Sequence, residues 1–234
     1  MKTLNFLLFT FVFLSGCQMA KKATSEKEAL YEGQKWNTKR AITTIAFGSC
    51  DRQDLPQDIW KAVAQNQPDL WIWTGDNIYG DSDDMNVLYE KYLKQKSGKD
   101  YHAFRKKTQI TGIWDDHDYG VNDGGKEYPY KRESKKLMLD FLDVPRDAPV
   151  FNHEGAYQSY IFGPKGQKIK LLLVDSRYFR DALESSKMEG KRYEINQTGD
   201  ILGEEQWAWL KKELTNSEAD VHIIANGIQV ISEE

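Results

Sequence analysis

Four apolar runs in this chain each end in a cluster of polar residues able to hold a metal or an anion, and that recurrence narrows the fold more than any other feature. Leu70-Trp71-Ile72-Trp73-Thr74 leads into Gly75-Asp76-Asn77-Ile78-Tyr79. Ile42 to Phe47 leads into Gly48-Ser49-Cys50-Asp51-Arg52, Thr108 to Trp114 into Asp115-Asp116-His117-Asp118, and Lys170 to Val174 into Asp175-Ser176-Arg177. Short runs rich in aromatic and branched residues read as buried strands. Open α/β sheets gather their ligands beyond the C-terminal ends of their strands. Several such ends in one chain predict a single site assembled from strand tips on an α/β fold. Carboxylate and phenolate oxygens, here Asp76 and Tyr79, are hard ligands for a highly charged cation.

Between these runs the pattern is helical. Helices are expected over Pro56 to Gln65, Val87 to Lys94, Tyr101 to Lys107, Glu133 to Leu142 and Glu204 to Leu214, the last with Trp207, Leu210 and Leu214 on one side. Tyr157 to Phe162 and Gln167 to Val174 predict a hairpin about Gly163-Pro164-Lys165-Gly166. Val221 to Ala225 and Ile228 to Ile231 read as one interrupted strand. The chain stops three residues after that core-like run, so it is expected to be the first part of a longer domain.

The N-terminus reads as an address rather than as fold. Lys2 precedes an apolar stretch, Leu4 to Leu14, that is too short to span a bilayer, and Leu14-Ser15-Gly16-Cys17 follows. This resembles a bacterial lipoprotein signal, with residues 1–16 removed and Cys17 lipidated. Residues 17–40, polar from Lys21 to Asn37, are expected to be a flexible tether, and 41–234 the folded domain. The protein would then be a membrane-anchored lipoprotein of the cell envelope, on the periplasmic or extracellular side. A net charge of −4 gives no reason to propose nucleic acid as a partner. A monomer is expected.

The chain has two cysteines. With Cys17 carrying lipid, Cys50 has no intramolecular partner. A lone thiol at a strand tip beside acidic groups reads as a metal ligand, as the thiolate. Arg52 and Arg177 are candidates for phosphate contact, because a guanidinium forks onto phosphate oxygens, with an ion pair as the plainer role. Asn77 adjoins the Asp76 position and either meets substrate or caps the turn. His102, His153 and His222 read as structural.

Taken as an ordered set, Phe47-Gly48-Ser49-Cys50, Gly75-Asp76-Asn77-Ile78-Tyr79 and Trp114-Asp115-Asp116-His117 resemble the PhoD-like (alkaline phosphatase D) family of metallo-dependent phosphatases. Asp175-Ser176-Arg177 and Gly203 to Leu210 also resemble segments of that family, and the likeness runs from about residue 42 to 234. It implies a four-layer α/β/β/α sandwich. It implies that Cys50, Asp76 and Tyr79 bind Fe(3+), that Asp76 bridges to a second site, and that Asp116, standing where the wider superfamily has Asn, binds Ca(2+) there. His117 would be the general acid, held by Asp118. The reaction implied is hydrolysis of phosphate mono- or diesters by a metal-bound hydroxide. The superfamily completes its site with later motifs such as Gly-Asp-x-His, and none follows Asp118 here. The alternative from another class is a lipoprotein of the same fold that binds phosphate-bearing polymers or envelope glycans without turnover.

Overall fold

The computed structural model describes residues 30–34 and 36–230. The signal, Cys17 and the first part of the tether lie outside the described residues. Two three-stranded sheets form the centre. The first is parallel, with β2 (Leu70–Thr74) between β1 (Ile45–Gly48) and β3 (Gln109–Ile113). In the second, β5 (Ile169–Leu173) pairs antiparallel with β4 (Gln158–Phe162) and parallel with β6 (Val221–Ala225). Helices α1 (Ile59–Gln65), α2 (Met85–Ser97), α3 (Lys99–Arg105), α4 (Asp116–Tyr119) and α5 (Lys131–Phe141) fall between strands of the first half, and α6 (Gly203–Thr215) between β5 and β6. Among the described residues no helix is long and apolar enough to cross a membrane.

The period-2 alternation of the strands sorts the layers. Trp71 and Trp73 of β2 face Trp60 of α1 and Tyr101 and Phe104 of α3, with ring centroids 4.5–6.0 Å apart and mostly edge-on. Such offset and edge-to-face contacts suit the ring quadrupoles. Trp73 Nε1 donates to the Tyr101 hydroxyl at 2.9 Å, so the indole is buried without a stranded donor. On β5, Leu171 and Leu173 join the core shared with the first sheet, while Leu172 and Val174 pack with Leu202 and Leu210 at α6. Helices, sheet, sheet and helix therefore stack in the order the resemblance implied.

Three expectations need correction. Residues 30–40 are not free tether. Leu30 is fully buried and Trp36 stacks on Tyr160 at 4.6 Å. Asp143 Oδ1 accepts the backbone N–H groups of Glu32 and Gly33 at 2.7 and 3.0 Å, and Lys96 donates to the Leu30 carbonyl. Two apolar anchors and a buried Lys96–Asp143–Arg105 node outweigh the polar composition of the segment. Second, α6 buries Gln206 and Leu210, leaving Trp207 and Leu214 substantially exposed, because the Gln206 amide fills the inner position and bonds Asp175. Third, β6 ends at Ala225 and Ile228–Val230 do not continue it; Ile231 lies outside the described residues.

Candidate metal centre and active site

The register of the first sheet sets Gly48 beside Trp73 and Thr74 beside Ile113, so all three strands deliver their following loops at one end. The chain turns sharply there. Cys50, Asp76 and Asp81 have φ of 58°, 49° and 46°. Non-glycine residues in the left-handed region cost about 1–3 kcal/mol each and gather where a site over-determines the backbone. Gly75, at φ 99°, demands glycine: an added Cβ would lie 2.5 Å from Asp115 Cβ and 3.1 Å from Gly227 Cα.

These turns converge. Cys50 Sγ lies 3.5 Å from Asp76 Oδ2, and ligand atoms of Asp76, Asp116 and His117 lie within 4.8 Å of one another. The Tyr79 phenol interacts with both Cys50 and Asp76. Its backbone is clamped, since Tyr79 N donates to Gln53 Oε1 at 2.9 Å and Tyr79 O accepts from Lys91 Nζ at 2.6 Å. Arg52 lies over the Tyr79 ring, 5.1 Å from its centroid, and has no ion-pair partner among the described residues.

Crowded negative charge governs the electrostatics. Burial, then Asp115 and Asp116, push Asp76 up to about 6. Burial and Asp76 push the Cys50 thiol and the Tyr79 phenol up as well. Asp116 is buried too, but the Asp123 N–H at 2.7 Å and the Arg177 charge hold it below the usual carboxylate range. The Cys50 thiol, the Tyr79 phenol and the Asp76 carboxyl all resist ionising beside one another, and a cation relieves that repulsion. A soft sulfur with hard oxygens in one cluster fits a transition-metal ion, and the oxygen-rich side fits a hard divalent ion.

His117 sits at the edge of this cluster, with its ring 4.3 Å from that of Tyr79. The carboxylate that orients it is Asp81, 2.7 and 2.9 Å from Nδ1, and not Asp118. The pairing puts the proton on Nδ1 and leaves Nε2 to exchange protons. Burial opposes protonation, but the Asp81 bond and the Asp76 charge prevail and raise the imidazole pKa. Asp118 is fully buried and braces the backbone: its oxygens accept from Asp115 N at 2.8 Å and Asn77 N at 3.1 Å. A short four-residue helix forces this, because Asp118 turns back to the preceding loop while His117 turns out. Asp81 is brought to the ring by Gly80 N and Asp81 N, which both donate to the His117 carbonyl. Its only sequence signal is a position two residues beyond Tyr79.

Two other expected contacts are turned inward. Asn77 is fully buried, and its Nδ2 donates to the Ile113 carbonyl at 3.2 Å, tying the tips of β2 and β3. Arg177 is buried with Nε 2.6 Å from Asp115 and a terminal nitrogen 3.8 Å from Asp116, the ion-pair role rather than an open phosphate contact. Cys50, Asp76, Tyr79, Asp116 and His117 are thus brought together. Gln53, Lys91 and Asp81 support them and were not found by sequence reasoning, and Asp115, named there only as part of the strand-tip cluster, supports them as the partner of Arg177.

A model of the PhoD-like phosphatase family matches residues 45–233, and the chain belongs to that family. A solved structure described as that of PhoD superposes with a TM-score of 0.63 at 18% identity, covering 80% of this chain. The chain spans 42% of the length of that protein. A search of curated protein sequences returns no match.

Proposed function

We propose that this protein is an exported, lipid-anchored metal-dependent phosphoesterase that hydrolyses phosphate mono- or diesters at the strand-tip cluster. The observation that carries the reading is the convergence of Cys50, Asp76, Tyr79, Asp116 and His117 from three strand tips, with mutual repulsion that a cation would relieve. Cys50, Asp76 and Tyr79 would hold one metal and Asp76 with Asp116 a second, Fe(3+) and Ca(2+) by family likeness. Bound there, the metals would supply Lewis acidity to the phosphoryl group and acidify a water.

The remaining roles belong to the chain. His117, with Nδ1 fixed by Asp81, presents Nε2 to protonate the leaving oxygen. Arg52 is the cation free to meet the phosphoryl group. Arg177 holds Asp115 and Asp116 in place. The apolar stretch before Cys17 supports export and anchoring on the outer side of the cytoplasmic membrane or in the envelope.

Elemental analysis of the purified protein beside Cys50→Ala, with turnover of p-nitrophenyl phosphate and its bis-ester, tests the reading. Metal in the parent, lost in the variant together with turnover, supports it. A binding lipoprotein of the same fold would instead keep phosphate-ester affinity with no turnover, and would be indifferent to His117→Ala. Mass spectrometry of the cell-envelope protein tests the anchor: an unmodified Cys17, or residues 1–16 still attached, would remove it.

A further inference from the structure

A second basic feature lies away from the strand tips. A cleft of about 740 Å³ opens between α5 and the short 3-10 turn Pro149–Asn152. Arg132, Lys135 and Lys136 line it from one face of α5, at the i, i+3, i+4 spacing that brings side chains together. Arg146 joins them from the following loop, and Phe151 with Tyr178 supplies an aromatic side.

The cations outnumber the anions. Asp140 takes Lys136, at 2.7 Å, and Arg146. Glu154 takes Arg132 and the Tyr178 hydroxyl. Lys135 is left without an ion pair among the described residues. It is 7% exposed, and its Nζ donates to the His153 carbonyl at 2.5 Å. Asp175, the carboxylate that acts on it most strongly, has its oxygens taken by four N–H donors. Burial outweighs the Asp175 and Glu154 charges and pulls Lys135 down to about 8. A buried ammonium with unfilled donors is costly unless an anion completes its shell.

We propose that this cleft is a separate anion site that takes the phosphate group of an organic phosphate, with the body of the ligand against Phe151 and Tyr178. Converging ammonium and guanidinium groups suit a multiply charged tetrahedral oxyanion better than a planar carboxylate. The site stands on its own side chains and does not require the strand-tip centre to be catalytic.

Calorimetric titration with inorganic phosphate and with phenyl phosphate, in chelator and at low salt, keeps any metal-bound phosphate out of the measurement. Phenyl phosphate should bind more tightly than inorganic phosphate. Lys135→Met, which keeps the stem and removes the charge, should weaken both by about tenfold or more. Arg132→Gln with Lys136→Gln, both on exposed side chains, should weaken them similarly, and serves if Lys135→Met does not fold. Arg52→Gln at the strand tips should change neither. Absence of binding at millimolar concentration overturns the proposal. So does binding that survives the cleft variants, or binding lost with Arg52→Gln.

Discussion

Asp76 and Asp175 each follow an apolar strand, one in each sheet, and the two have opposite fates. Asp175 is fully buried and accepts hydrogen bonds from Trp114 Nε1 and from the backbone N–H groups of Ala156, Arg177 and Tyr178, at 2.7–3.0 Å. It is a structural hub. Asp76 meets one long backbone N–H, at 3.4 Å from His117, with a thiol and the Tyr79 phenol, among other acids. Its pKa rises to about 6 because burial and carboxylate neighbours are not answered by donors. A strand-end aspartate saturated by N–H groups holds the fold together, whereas one left short of donors beside other acids is poised for a cation.

The sharpest way to break that contrast is to remove each carboxylate. Asp76→Ala should cost metal binding and turnover, the latter by about 10³-fold or more, while thermal stability stays level or rises. Asp175→Ala should do the reverse, costing at least ~3 kcal/mol by stranding four buried donors. Denaturant melts beside elemental analysis check both, and a metal-free but destabilised Asp76→Ala would erase the distinction.

His117→Ala should lower turnover by roughly 10²–10⁴ with metal content retained. Asp81→Asn should cost about tenfold, because the carboxylate only orients the ring, and should lower the imidazole pKa and so move the alkaline limb of the pH–rate profile to lower pH. A profile unchanged in Asp81→Asn would hand the orienting role to another group.

The smallest expected effect concerns the docked N-terminal segment. Burial opposes it, but the hydrogen bond from Lys106 at 2.5 Å and the ion pair with Arg105 at 3.0 Å hold Glu32 at about 2, against 4.5 for the free side chain. A depressed carboxylate stabilises the fold fully above pH 4.5, and that contribution disappears as pH falls through about 2. Glu32 is partly exposed, so the contribution is at most ~1 kcal/mol. The urea midpoint of Glu32→Gln should lie below the parent near neutrality and converge with it near pH 2.

Much of this was legible in the sequence because it depends on period and local chemistry. The apolar runs became strands, the 157–174 hairpin formed about Gly163–Gly166, and Cys50, Asp76, Tyr79, Asp116 and His117 met where strand ends meet. What stayed hidden depends on distant partners. Asp118 reads as the companion of His117 until the turn directions are known and bring Asp81 to the ring instead. Leu30 and Trp36 look like stray apolar residues in a polar stretch until Asp143, Lys96 and Tyr160 are placed against them. Arg177 reads as either a phosphate contact or an ion pair until Asp115 is placed against it.

The docking of Leu30 also has a geometric consequence for a protein held at Cys17. Thirteen residue steps separate the two, a span of at most about 45 Å fully extended. Anchored as proposed at Cys17, the domain would patrol only a thin shell beside the bilayer. It would meet lipid-proximal phosphates and the nearer reaches of envelope polymers, and leave distant soluble esters to diffuse in.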